Sequence, residues 1–70
     1  MGVALRVIGE ALQIELRQGY LQHGRLFVVM DSHAAAMRLF QQRIILIDNV
    51  NAALQEHGFS HRVCDIRRAQ

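Results

Sequence analysis

The amino-acid sequence predicts a single α+β domain in which helices pack on one face of a small sheet. Three observations favour this fold class. Apolar residues recur at helical spacing near the N-terminus, a glycine-centred hairpin leads into an apolar strand, and a serine-capped helical segment precedes a last strand. Seventy residues lie close to the lower limit for a chain with its own core. We therefore predict one domain over residues 1–70.

The first helix is predicted over residues 3–12, because Leu5, Ile8 and Leu12 recur at the spacing of one helical face. After Leu12 the chain alternates apolar and polar residues for several positions, which is a strand pattern. The sequence therefore predicts a change from helix to strand near residues 12–14.

A β-hairpin is predicted around Gly24, within the segment Tyr20–Leu26. Glycine adopts the positive φ that a tight hairpin turn requires, and the neighbouring His23 is then a turn residue. The strand that follows, Arg25–Met30, has apolar residues on both of its faces. Such a strand lies at the centre of a sheet, or a partner chain covers one of its sides.

The long helical segment begins at Ser32, whose hydroxyl suits the N-cap position. One straight helix over residues 33–57 would place Arg43 within its apolar face and Ile45 on the opposite side. A break near residues 41–45 removes both conflicts and gives two shorter helices. Their predicted apolar faces are Ala36, Met37, Leu39 and Phe40 in the first, and Leu46, Ile47, Val50, Ala53 and Leu54 in the second.

A last strand is predicted at about residues 61–67, after Gly58 ends the second of these helices. Its Cys64 and Ile66 are expected to face inward. The resulting order, α-β-β-α-α-β, predicts a small two-layer sandwich and is compatible with a KH-like fold. The chain contains no G-x-x-G sequence, so the loop with which KH domains usually hold nucleic acid is missing.

The composition predicts a folded domain that associates with itself. Hydrophobic residues make up 51% of the chain, which argues against disorder, and so short a chain cannot easily bury them all. We therefore predict a homodimer that buries a face of the strand at residues 25–30 or the apolar run Ile44–Ile47. Cys64 is the single cysteine, no apolar run is long enough to span a bilayer, and the N-terminus lacks a signal-peptide pattern. These features predict a cytoplasmic protein without a membrane span.

The sequence has no pattern of catalytic or metal-binding residues that predicts an enzyme. His57, His61 and Cys64 have a spacing found in metal sites, but Gly58 interrupts the helix there and no fourth ligand is evident. A nucleophile made of Cys64 and His61 lacks an orienting third group, and the acidic residues are scattered singly. We therefore predict a non-enzymatic protein with no metal and no cofactor.

The arginines form the main candidate binding site. All eight basic residues are arginine, which suits bidentate contacts to phosphate, although the net charge is only +2. If the last strand pairs beside the hairpin, arginines of both elements share one rim, with a tyrosine available for stacking on a base. The predicted nucleic-acid-binding residues are Arg17, Tyr20, Arg25, Arg62, Arg67 and Arg68. Weak binding without sequence preference is expected. The alternative, weighed equally, is that these arginines are ordinary surface charges.

Several phrases of the sequence follow one another in a recognisable order. They are Ile8–Leu12, Gly24–Val28, Ser32 with Ala34, Ala36 and Leu39, Leu46–Asn51, and Val63 with Ile66. In this order and spacing they resemble the bacterial DciA family, whose members assist the replicative helicase. The resemblance covers most of the chain. It implies a KH-like domain that acts in DNA replication, binds nucleic acid and contacts the replicative helicase.

The sequence departs from the DciA pattern at a few positions. His33 and Ala35 stand where the family has proline and tryptophan, and Ile44 stands where a proline often breaks the helix. The matched residues are apolar, small or helix-capping, so they describe a core and not a site. A second function therefore stays open: a self-associating structural or interaction module, of the phage or regulatory type, with no nucleic-acid role. Salt-dependent DNA binding distinguishes the two functions.

Overall fold

The computed structural model describes residues 2–69 and shows a mixed α+β fold, which confirms the predicted fold class. Its elements follow one another as helix, hairpin, two helices and strand. They are α1 (Gly2–Leu12), β1 (Gly19–Gln22), β2 (Arg25–Val28), α2 (His33–Gln41), α3 (Arg43–Glu56) and β3 (Asp65–Arg68).

The three strands form one mixed sheet in the order β1-β2-β3, with β2 at its centre. β1 and β2 are the two arms of the predicted hairpin and pair antiparallel. β3 pairs with the other side of β2 in parallel, because α2 and α3 carry the chain back to the end of the sheet where β2 begins. The predicted central strand is confirmed, although its regular pairing ends at Val28.

A two-residue turn, His23-Gly24, joins β1 to β2. Both residues have a positive φ, 53° and 79°, which is the left-handed geometry of a primed hairpin turn. The predicted role of Gly24 is confirmed. The turn also fixes the register of the hairpin, so that Tyr20 lies opposite Phe27.

The helices pack on one face of the sheet and form the core with it. The side chains of Leu26, Val28 and Ile66 face the helices from β2 and β3. The other buried side chains are Ala4, Leu5, Ile8, Leu12, Met30, Ala35, Leu39, Leu46, Val50, Leu54 and Val63. Because all three helices lie on this side, the opposite face of the sheet has no helix of residues 2–69 above it. None of the helices in this part of the chain is long and apolar enough to cross a membrane.

The predicted change from helix to strand near residues 12–14 is only half correct. α1 ends at Leu12, and the chain then turns back so that the N–H of Ile14 donates to the carbonyl of Gly9 at 3.0 Å. Ile14 and Leu16 lie half-buried against the core without joining the sheet. The alternating pattern therefore marks a segment that crosses the surface of the core, not a strand.

Replacing Gly9 by alanine should destabilise the fold. A Cβ atom at this position would lie 2.8 Å from the carbonyl oxygen of Ile14, and a backbone atom cannot rotate away as a side chain can. We expect the free energy of unfolding to fall by about 1–3 kcal/mol, measured by chemical denaturation. Gly2→Ala is the matched control in the same helix, because no atom lies within 4 Å of its added Cβ. Equal effects of the two substitutions would contradict the close approach.

The two helices that follow the hairpin begin and end where the sequence predicts. The Oγ atom of Ser32 accepts a hydrogen bond from the N–H of Ala35 at 3.1 Å and so caps α2. α2 ends at Gln41 and α3 begins at Arg43, which confirms the predicted break. Gly58, just beyond α3, has the left-handed φ of 81° expected of a helix-ending glycine.

The apolar faces predicted for the two helices differ in their outcome. In α3 the buried side chains are Leu46, Val50 and Leu54, as predicted. In α2 the buried residues are Ala35 and Leu39, one helical turn apart, while Met37 and Phe40 are exposed. The prediction that Met37 and Phe40 belong to the buried face is therefore wrong. The face of α2 that meets the core is narrower than the sequence pattern indicates, because α2 lies at the edge of the helical layer, above β3.

The last strand begins later than predicted, at Asp65. Ile66 faces inward, as predicted, but Cys64 does not: its side chain is exposed, and its Sγ donates to the carbonyl of Gly24 at 3.2 Å. Val63 takes the buried position instead, with 3% of its surface exposed. The strict alternation of a strand therefore applies only from Asp65 onward.

Candidate nucleic-acid interface

The face of the sheet that points away from the helices presents a compact group of aromatic and charged side chains. Opposite residues of paired strands point to the same side of a sheet, so the register aligns two rows across this face. One row is Tyr20, Phe27 and Arg67, and the other is Gln22, Arg25 and Asp65. We call these residues the open face.

Tyr20 and Phe27 form an aromatic stack on the open face. Their ring centroids are 4.9 Å apart and the ring planes differ by 17°. Tyr20 is 49% exposed, and Phe27 is half-buried beside it. Because the hairpin register holds the two rings together, the exposed part of the pair is a preformed apolar platform on which another flat ring can stack.

Asp65 introduces a negative charge among the arginines. Its carboxylate accepts a hydrogen bond from Arg67 Nε at 2.7 Å and lies 3.5 Å from Arg43 Nε. The hydrogen bond from Arg67 is the main reason that the pKa of Asp65 is held below its usual value; burial opposes this shift, and the N–H of Ile66 adds to it. Asp65 is therefore anionic at neutral pH and offsets part of the positive charge of the open face.

The structure brings together three of the six residues predicted to bind nucleic acid. Tyr20, Arg25 and Arg67 all lie on the open face. Arg68 instead points to the helical side, where its Nη2 atom donates to the carbonyl of Met30 at 2.9 Å. The predicted rim is therefore smaller than expected, and Arg68 helps to hold the segment that follows β2 in place.

The other two predicted arginines lie in loops next to the sheet. Arg17 precedes β1 and forms an exposed ion pair with Glu15, with Nη2 and Oε1 2.8 Å apart. Arg62 is exposed in the loop before β3. Neither arginine belongs to the two rows of the open face. In the sequence, Arg17 lies shortly before β1 and Arg62 shortly before β3.

Sequence reasoning missed two residues of this site, Phe27 and Asp65. Both were predictable in principle. A two-residue turn at His23-Gly24 places Tyr20 opposite Phe27, and strand alternation places Asp65 on the same side as Arg67. The signal was the turn, from which the whole register of the hairpin follows.

A second exposed surface lies where α2 meets α3. Phe40, Ile44 and Ile45 are exposed to 68%, 73% and 62%, and we call them the α2–α3 junction. The guanidinium of Arg43 lies 5.2 Å from the centre of the Phe40 ring. The run Ile44–Ile47, predicted to form a dimer contact, is thus divided: its first two residues are exposed, whereas Leu46 belongs to the core.

The part of the chain that the structure describes has no group of side chains suited to bind a metal ion. Within residues 2–69, no three His, Cys, Asp or Glu side chains lie close enough together to hold one. His57, His61 and Cys64 are all exposed, and Cys64 bonds to the carbonyl of Gly24.

Comparison of the chain with family models, with curated proteins and with solved structures gave no significant match. A functional assignment therefore rests on the open face, the α2–α3 junction and the resemblance of the sequence phrases to the DciA family.

Proposed function

We propose that this chain is a non-enzymatic nucleic-acid-binding domain of the cytoplasm that acts in DNA replication, in a role like that of the DciA family. The observation that supports the proposal is the Tyr20–Phe27 stack beside Arg25 and Arg67 on the open face. Aromatic rings stack on unpaired bases of any sequence, and guanidinium groups contact phosphates. The expected ligand is therefore a single strand, bound weakly and without sequence preference.

The modest charge of the open face sets the strength of this binding. Arg67 forms an ion pair with Asp65, and Arg25 lies opposite the same carboxylate in the register of β2 and β3 without forming an ion pair to it, so one acidic group offsets part of the charge of both arginines. Few phosphates are then neutralised. We expect a dissociation constant of about 10⁻⁴ to 10⁻⁶ M, the range of non-specific binding.

The stacking platform is tested by changing the shape of one ring. Tyr20→Leu keeps an apolar side chain but removes the aromatic plane, and should weaken binding of a labelled single-stranded oligonucleotide about five-fold or more. Tyr20→Phe keeps the plane and should bind like the parent. Fluorescence anisotropy measures both. If Tyr20→Phe loses as much affinity as Tyr20→Leu, stacking on Tyr20 does not hold the strand.

The charge contribution is tested by salt dependence. Arg25→Ala should weaken binding to all sequences alike and reduce the slope of log affinity against log salt by about 0.7, the value for one lost single-strand phosphate contact. Arg6→Ala is the matched control, because Arg6 is exposed on α1, in the helical layer. If the parent does not bind at about 50 mM salt, or if Arg6→Ala has the same effect, the open face is not a nucleic-acid site.

Contact with a replicative helicase is the second part of the proposal and rests on the resemblance to the DciA family. It is tested without nucleic acid, by measuring whether the purified domain co-elutes with the replicative helicase of the same organism. Failure of this contact leaves the open-face proposal standing, since the two measurements are independent.

The α2–α3 junction supports a second candidate function, a self-associating interaction module with no nucleic-acid role. Phe40, Ile44 and Ile45 are large apolar side chains exposed on neighbouring turns, an arrangement typical of protein contacts. This candidate takes precedence if the parent domain binds no oligonucleotide at low salt yet associates with itself in solution.

A further inference from the structure

The outer edge of β3 has backbone groups that no strand of residues 2–69 pairs with. The N–H of Ala69 donates to the carbonyl of Val28 at 2.8 Å, so odd-numbered residues here turn their backbone groups toward β2. The backbone groups of Ile66 and Arg68 therefore point outward. In agreement with this, the N–H of Ile66 donates to the carboxylate of Asp65 at 2.9 Å. Such an edge can accept a further strand.

A groove of about 490 Å³ runs along the same edge, below the α2–α3 junction. Phe40 and Arg43 line it from the helices, and Ile66 and Arg67 line it from the strand. The groove thus has an exposed aromatic ring on one wall and strand backbone on the other. An incoming strand would pair with β3, and the rest of the chain that carries this strand would cover Phe40.

A second copy of this chain fits the edge with complementary charge. Two copies of β3 related by a two-fold axis run antiparallel, and opposite residues must point to the same side of the sheet. An axis through Ile66 places Asp65 opposite the partner's Arg67 and Arg67 opposite the partner's Asp65. An axis through Arg67 would place two arginines opposite each other, which is destabilising. Charge therefore selects the axis through Ile66.

We propose that β3 pairs with β3 of a second copy, with Ile66 on the two-fold axis, to form one continuous six-stranded sheet. The N–H of Ile66 then exchanges its hydrogen bond to Asp65 for one to the carbonyl of the partner's Ile66, and the released carboxylate of Asp65 pairs with the partner's Arg67. Phe40 of each copy lies beside the axis and is covered by the other copy. The strand is short, so the interface is small and association is weak and concentration-dependent.

A charge-exchange experiment tests this register. The variant Asp65→Arg has two positive side chains at positions 65 and 67, and Arg67→Asp has two negative ones. Each variant alone repels its own copy across the axis and should be monomeric in analytical ultracentrifugation over a micromolar-to-millimolar series. An equimolar mixture pairs positive with negative at both positions and should form a heterodimer. If Asp65 and Arg67 paired only within one chain, mixing the two variants would not restore a dimer.

Phe40→Ser and Ile45→Ser test the same interface without touching the ion pair. Both side chains are exposed, so both variants should fold, which circular dichroism checks. Phe40→Ser should weaken the dimer, whereas Ile45→Ser should not, because Ile45 lies two helical positions from Arg43 and hence on the far side of α3 from β3. A parent that stays monomeric, a mixture that stays monomeric, or a stronger dimer in Asp65→Ala would overturn the proposal. The last result would show that Asp65 protects the edge from pairing.

Discussion

Asn51→Ala should lower the free energy of unfolding by about 2–4 kcal/mol, a large fraction of the stability of so short a chain. The Nδ2 atom of Asn51 donates to the carbonyl of Val63 at 2.8 Å, and its Oδ1 atom accepts from the N–H of Val63 at 2.7 Å. Val63 is 3% exposed, so both of its backbone groups would lose their partner in a place that water reaches poorly. Chemical denaturation followed by circular dichroism measures the loss.

Asn49→Ala is the matched control for this prediction. Asn49 lies in the same helix, α3, and is exposed, so the same substitution there removes no contact with Val63. We expect its effect to stay within about 0.5 kcal/mol. If the two variants are equally stable, the bidentate contact from Asn51 contributes nothing to holding the last strand, and the position of β3 must be fixed by Ile66 and the pairing with β2 alone.

The contact between Asn51 and Val63 also gives a physical meaning to two of the sequence phrases. Leu46–Asn51 and Val63 with Ile66 lie apart in the sequence, yet an amide side chain joins them directly. The fold therefore brings the two phrases into contact. The two phrases thus describe how the last strand is attached to a helix, which is a structural role and does not identify a partner.

Local signals in the sequence were sufficient for most of the fold. The turn at His23-Gly24 depends only on the positive φ that glycine permits, and the cap at Ser32 depends only on its hydroxyl. The break before Arg43 was predicted because one continuous helix would place Arg43 within its apolar face and Ile45 on the opposite side. Each of these features is decided within a few residues, so a single sequence is enough to predict it.

The features that the sequence did not predict depend on distant residues. Cys64 was expected to face inward because strand alternation from Ile66 requires it. Asn51 holds Val63 in the buried position instead, and the alternation is interrupted between Val63 and Ile66. The alternation after α1 was likewise ambiguous, since a segment that lies on a core without pairing has the same pattern as a strand.

The candidate site could be predicted only in part, because the charges in a sequence do not reveal how they are paired. Arg17, Arg67 and Arg68 each have a protein partner: Glu15, Asp65 and the carbonyl of Met30. The number of arginines therefore overstates the number of guanidinium groups that are free to contact a ligand. The stacking of Tyr20 on Phe27, in contrast, follows once the two-residue turn has fixed the hairpin register.

Leu46→Ala should cost about 2–5 kcal/mol in the free energy of unfolding, whereas Ile45→Ala should change it by no more than about 0.5 kcal/mol. The two residues are adjacent and similar in size and hydrophobicity, but Leu46 is 0% exposed and Ile45 is 62% exposed. Truncating Leu46 leaves a cavity between α3 and the rest of the core. Truncating Ile45 leaves no cavity, and alanine favours the helix more than isoleucine does.

The stabilities of Leu46→Ala and Ile45→Ala are best compared by chemical denaturation at low protein concentration, where any dimer has dissociated. A large effect of Ile45→Ala under these conditions would mean that α3 is rotated about its axis relative to the sheet, and the exposed α2–α3 junction would no longer exist. If the effect of Ile45→Ala appears only at high concentration, Ile45 is buried between copies, contrary to the pairing through β3. A full effect at Leu46 with none at Ile45 at either concentration supports both the orientation of α3 and an interface that excludes Ile45.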